Sequence, residues 1–63
     1  MTLTQAQDRY IQRVNHCHPG HYNRVRRSAW SELFSWAKNR GYDAVIVCQD
    51  ADDVAKLERN AED

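Results

Sequence analysis

Tyr42-Asp43-Ala44-Val45-Ile46-Val47-Cys48-Gln49-Asp50 contains the longest uninterrupted apolar run of this 63-residue chain, Ala44 to Cys48. Its length, its β-branched content and its place after Gly41 read as a short buried strand over 43–48. The competing reading starts a helix at Asp43 and runs it into the last segment. The choice decides the fold, because no other segment reads as a strand. A lone strand leaves backbone donors and acceptors unpaired, so a strand here requires its symmetry mate in a second copy. Beyond the run, Asp50 reads as the N-cap of a final helix over about 51–60. Asp52 and Asp53 then fall in its first turn, and Ala51, Val54, Leu57 and Ala61 line one side.

Working back from this stretch, residues 21–40 read as a long helix. Tyr22, Val25, Ala29, Leu33 and Trp36 form one stripe at helical spacing, and Trp30, Phe34 and Ala37 a second. Together they cover about half the circumference, wider than a helix facing one core requires. Gly41 after Asn39-Arg40 is a C-terminal stop. Residues 4–18 read as the first helix, with Thr4 and Gln7 at capping-box spacing and Pro19-Gly20 as the turn that ends it. The expectation is a mainly α single domain over 1–63, a helical hairpin followed by a strand or helix start and a final helix. The wide apolar arc and the unpaired strand both point to a homodimer, with Trp30, Phe34, Ala37, Val45 and Val47 at its interface. A chain this short buries a modest fraction of its surface and often needs a partner or staple.

Charge separates the chain into two halves of zero sum. Residues 1–41 carry seven basic against two acidic side chains, +5, and residues 42–63 carry two basic against seven acidic, −5. The halves read as attracting each other, within the fold or across a dimer; a basic binding body with an acidic tail is the alternative. Cys17 and Cys48 allow one bridge only, and the polar start has no apolar targeting segment. The expectation is a soluble cytoplasmic protein with reduced, core-packed thiols and no membrane span.

No complete catalytic or cofactor motif is present. His16, Cys17, His18 and His21 are metal-ligand types, but neighbouring residues on a helix diverge. A fourth ligand would have to come from Cys48 or an acid such as Asp50, and the usual paired spacing is missing. These residues therefore read as helix-end histidines around a core cysteine, with no metal. Nor does Cys17 between two histidines gain an oriented base. Ser28, Ser31 and Ser35 lie on a solvated face, and two glycines make no phosphate loop. The expectation is a protein without catalytic residues, cofactor or metal.

Arg24, Arg26 and Arg27 are the candidate nucleic-acid contacts. Two helices joined by a short turn invite comparison with a helix-turn-helix, whose second helix enters the major groove. A net charge of zero supplies little of the general attraction such binding uses. Arg26 falls inside the apolar arc, where it could stack on Trp30 or pair with an acid of the C-terminal half. Its plain reading is a stem lying along apolar surface with its head in water.

The span 16–50, HCHPGHYNRVRRSAWSELFSWAKNRGYDAVIVCQD, resembles the small proteins encoded in the early exo–xis region of lambdoid bacteriophages. The resemblance is one of overall appearance and size, and no functional residue carries over. It implies expression in the host cytoplasm and an accessory influence on phage development, such as the balance of lysis and lysogeny. The function expected is that of a non-enzymatic homodimer engaging an unidentified host or phage protein; the alternative is a small DNA-binding regulator.

Overall fold

The computed structural model describes residues 1–61, and Glu62 and Asp63 lie outside the described residues. Three helices pack pairwise into a triangular bundle: α1 (Leu3–Asn15), α2 (Tyr22–Asn39) and α3 (Ala44–Ala61), with a short 3-10 turn, Pro19–His21, between the first two.

Two overlapping Thr-x-x-Gln boxes compete at the start of α1, and the earlier one wins. Thr2 accepts a hydrogen bond from the Gln5 amide (3.2 Å), and the Gln5 side chain accepts from the Thr2 amide (2.9 Å). The expected Thr4–Gln7 box is not used, because the Gln7 amide group donates instead to the Val47 carbonyl of α3 (3.2 Å). The helix also ends three residues earlier than expected, with His16 as C-cap. Pro19 holds His18 extended (φ −61°, ψ 133°), and residues 16–18 form a non-helical link into the 3-10 turn.

The end of α2 sets the course of α3. Gly41 adopts φ +82°, its amide donates to the Lys38 carbonyl (3.2 Å), and the Tyr42 amide donates to the Ala37 carbonyl (3.0 Å). This pair of bonds is a Schellman stop, and glycine is favoured where φ is positive. It folds Tyr42 back onto Trp36, the two rings stacked at 5.8 Å. Asp43 follows at once as N-cap, its Oδ1 accepting from the Ile46 amide (3.3 Å).

The run 43–48 is therefore the cap and opening turns of an 18-residue helix. Both the strand reading and the separate helix over about 51–60 are corrected. A helix bonds its own backbone and needs no partner strand, which outweighs the few tenths of a kcal/mol that each β-branched residue costs. The buried positions Ala44, Val47, Cys48, Ala51 and Ala55 keep helical period straight through the polar Asp50. Asp50 is thus a mid-helix surface residue, not a cap.

The wide apolar arc of α2 is also accounted for within one chain. Ala29, Leu33 and Trp36 line a groove with Ala6 and Tyr10 of α1, while Trp30 is edge-on to Tyr10 (6.2 Å), its carbonyl accepts from Cys48 of α3 (3.7 Å), and Ala37 is wholly buried in the shared core. Two neighbours need two stripes. Both premises that led from the sequence to a dimer, an unpaired strand and an uncovered arc, are thereby removed. Among the described residues, no helix is long and apolar enough to cross a membrane.

Candidate interaction surface

One charge lies inside the bundle. Asp52 on α3 is buried among alanines, and its carboxylate gathers groups from all three helices. The Tyr10 hydroxyl of α1 donates to Oδ1 (2.8 Å), and Arg26 of α2 donates through Nε (3.1 Å) and Nη2 (3.2 Å); Lys56 lies 3.4 Å away. The Arg26 guanidinium also sits 5.3 Å from the Trp30 ring centre. Burial pushes the Asp52 carboxyl up, but the hydrogen bonds from Arg26 and Tyr10 outweigh it and hold it below the usual carboxylate range. Burial, then the carboxylate it serves, raises the Tyr10 phenol, and the bond to Asp52 raises Arg26.

The head of Arg26 is thus only partly in water, where its plain reading placed it wholly; it makes both the stack and the pair. It is occupied inside the fold, while Arg24 and Arg27 remain exposed beside Ser28 and Ser31 on the outer face of α2. The three arginines do not form one surface. Among the described residues, Arg26–Asp52 is also the one ion pair that joins the basic and acidic halves; Arg13–Glu32 and Lys56–Asp52 each stay within a half. Most of the charge separation stays on the surface, basic on α1 and α2, acidic on α3.

The histidine-rich turn gathers no site. His16, His18 and His21 are exposed, the rings of His18 and His21 lie 5.4 Å apart, and Cys17 donates to the Val14 carbonyl (3.4 Å). Among the described residues, no three His, Cys, Asp or Glu side chains converge. Cys48 is fully buried, donates to the Trp30 carbonyl (3.7 Å), and burial pushes its thiol up to about 11. A thiol held protonated is a poor nucleophile and a poor ligand.

The five residues expected at a dimer interface separate into two kinds. Ala37 and Val47 are core positions of the single chain, 0% and 6% exposed. Trp30 and Phe34 pack on the core from its edge, and Val45 is half exposed. These last three share one seam. Val45 precedes Asp52 by seven residues, about two turns, and so lies on the flank of α3 that turns to Arg26 of α2. Phe34 follows Trp30 by one turn, on the flank of α2 next to α3. Ile46, Val54 and Leu57 extend the apolar surface outward over α3, between Asp50, Asp53 and Glu58. From the sequence, Val54 and Leu57 line up on one side with Ala51 and Ala61; in the fold Ala51 is buried while Val54 and Leu57 are exposed. Compared with protein-family models, with characterised proteins and with solved structures, the chain matches none.

Proposed function

We propose that the chain is a non-enzymatic interaction protein that works as a homodimer through its α2–α3 seam. The observation that carries this reading is the exposed apolar surface of α3, with Val45 and Ile46 each about half exposed beside the half-buried Phe34. Such a patch, rimmed by charge, marks an interaction site more often than chance exposure does. Its charge suits a second copy. Arg27 and Lys38 are exposed on α2, and Asp50 and Asp53 are exposed on the outer face of α3, with Lys56 beside Asp52. The bases of α2 in one copy and the acids of α3 in the other offer the kind of complementarity that an isologous dimer uses.

The resemblance to early-region proteins of lambdoid bacteriophages supplies a setting for this dimer: an accessory regulator of phage development in the host cytoplasm, acting on a host or phage protein. Sedimentation of the wild type against Ile46→Asp tests the dimer. Ile46 is exposed and sits in the first turn of α3, where an acid suits the helix dipole, so the variant keeps its fold. It is expected to sediment as a monomer while the wild type sediments as a dimer. A monomeric wild type, or a variant that dimerises as well, rejects the seam.

A DNA-binding regulator is the second reading, favoured by the exposed Arg24 and Arg27 on the outer face of α2. Titration with duplex DNA at low salt tests it. Salt-sensitive binding lost in Arg24→Ala/Arg27→Ala supports it, and no binding at low salt removes it.

A further inference from the structure

We propose that the groove between α1 and α2, on the side of the bundle away from α3, docks an amphipathic helix of a partner protein that presents apolar side chains flanked by carboxylates. This deepens the reading as an interaction protein and rests on it only in taking a protein as occupant; its residues are distinct from the α2–α3 seam.

The groove has a volume of about 370 Å³. Its floor is made of the small residues Ala6 of α1 and Ala29 of α2, with Leu33 beside them. Trp36 forms one wall. Its indole is held in place before any partner arrives, stacked on Tyr42 at 5.8 Å and with the Arg40 guanidinium 5.2 Å from its ring centre. A prearranged aromatic wall loses little freedom on binding. Arg9 and Arg13, one turn apart on α1, form the rim. Among the described residues, Arg9 has no carboxylate partner, while Arg13 reaches across the groove to Glu32 of α2.

Size and charge select the occupant. The floor residues Ala6, Ala29 and Leu33 are at most 5% exposed even with the groove empty. A detached small molecule would cover little apolar surface there. A helix laid along the groove adds contacts on both rims and places one or two side chains on the floor. Carboxylates beside those side chains meet Arg9 and compete with Glu32 for Arg13, a charge-assisted pairing that arginine geometry favours. A second copy offers an acidic and apolar surface too, the outer face of α3. In a triangular bundle that face points away from the α1–α2 groove, so copies joined this way would meet head to tail and could complete the contact only as a ring or a filament, not as a two-fold dimer. A separate partner helix has no such constraint.

Fluorescence anisotropy with the full chain tests the site. The probe is a labelled helical peptide with leucines at i, i+4 and i+7 and glutamates between them; its control has lysines in place of the glutamates. The glutamate peptide is expected to bind at low salt, at least about tenfold tighter than the control, and to weaken as salt screens the pairing. Arg9→Glu is expected to weaken it about tenfold. Glu32→Gln, which releases Arg13, is expected to tighten it a few-fold, a gain that loss of structure does not produce. Ile46→Asp is expected to bind like wild type, so failure of the dimer and failure of the groove are read separately. No binding, equal binding of both peptides, or equal binding by wild type and Arg9→Glu overturns the proposal. So does a change in the protein's own sedimentation in Arg9→Glu, which would make a second copy the occupant.

Discussion

The two faces of α3 hold the same kinds of residue in opposite places. On the inner face Asp52, a charge, is 5% exposed among Ala51, Ala55 and Cys48; on the outer face Leu57, an aliphatic, is 68% exposed between acids. Residue type alone would exchange them. Each side chain's angle around the helix decides, and each misplaced residue then has its own account. The inner charge is satisfied by three partners and ties three helices together. The outer aliphatics meet no such demand from the fold, which leaves them for a surface role.

The comparison breaks most visibly at its inner member. Asp52→Ala strands the Tyr10 hydroxyl and the Arg26 guanidinium beside an apolar gap. Removing one partner of a buried hydrogen-bonded pair is costly, here reduced because Arg26 is partly solvated, so the loss is about 2–3 kcal/mol. For a domain of this size that lowers Tm by roughly 10–20 °C. Thermal melts followed by circular dichroism measure it, and an unchanged Tm would mean that the three-helix tie carries no stability.

Acid should act on the same tie. The folded-state pKa of Asp52 is lowered, so its contribution is fully present above the unfolded carboxylate value of about 4 and is lost as pH falls through the folded value. The Tyr10 phenol is raised, so its contribution is present below about 10 and is lost as pH rises beyond that. Stability measured against pH should fall at both ends, and Asp52→Asn should flatten the acid limb and weaken the alkaline one, which keeps the part that burial of Tyr10 contributes. An acid limb that survives in the variant assigns it to other carboxylates.

How far α3 was legible in the sequence follows from the same contrast. The stop at Gly41 and the bounds of α2 could be read to within a residue, because glycine placement and two apolar stripes are strong local signals. The 43–48 run misled because β-branched residues suit strands and because Asp50, Asp52 and Asp53 cluster as a helix start does. That cluster drew the cap seven residues past Asp43. With the helix begun at Asp50, only Ala51, Val54, Leu57 and Ala61 are left to mark its apolar side, and the true inner acid, Asp52, reads as an ordinary first-turn residue. The signal that separates the readings is the small-residue series Ala44, Cys48, Ala51, Ala55, whose helical period crosses the acids without a break. Arg26 was legible as a candidate for stacking or pairing. Its carboxylate partner was not, because the inward side of α3, on which Asp52 lies, is marked only when the helical period is carried back through Cys48, Val47 and Ala44.

A smaller effect is expected where the bundle turns from basic to acidic. Gly41 has open space around the position of a Cβ, so a side chain there meets no clash; the cost comes from φ +82° alone. Gly41→Ala should cost about 1 kcal/mol, roughly 4–8 °C in Tm. The outer faces stay unchanged, so binding of the glutamate peptide should survive. A loss much larger than this would show that the stacking of Tyr42 on Trp36 depends on the turn more strongly than one backbone angle implies.

The smallest effect on stability belongs to the outer member of the comparison. Val54 and Leu57 are 42% and 68% exposed, so replacing both by serine removes little buried surface and costs mainly helix propensity, within about 0.5–1 kcal/mol. If the outer face is kept for contact rather than for folding, the double variant should melt close to wild type while its dimer weakens, less than in Ile46→Asp because these residues lie further from the seam. Equilibrium sedimentation together with a thermal melt separates the two quantities. A large fall in Tm at a protein concentration where the wild type is monomeric would assign Val54 and Leu57 to the core of the single chain, and the contrast between the faces of α3 would then reduce to Asp52 alone.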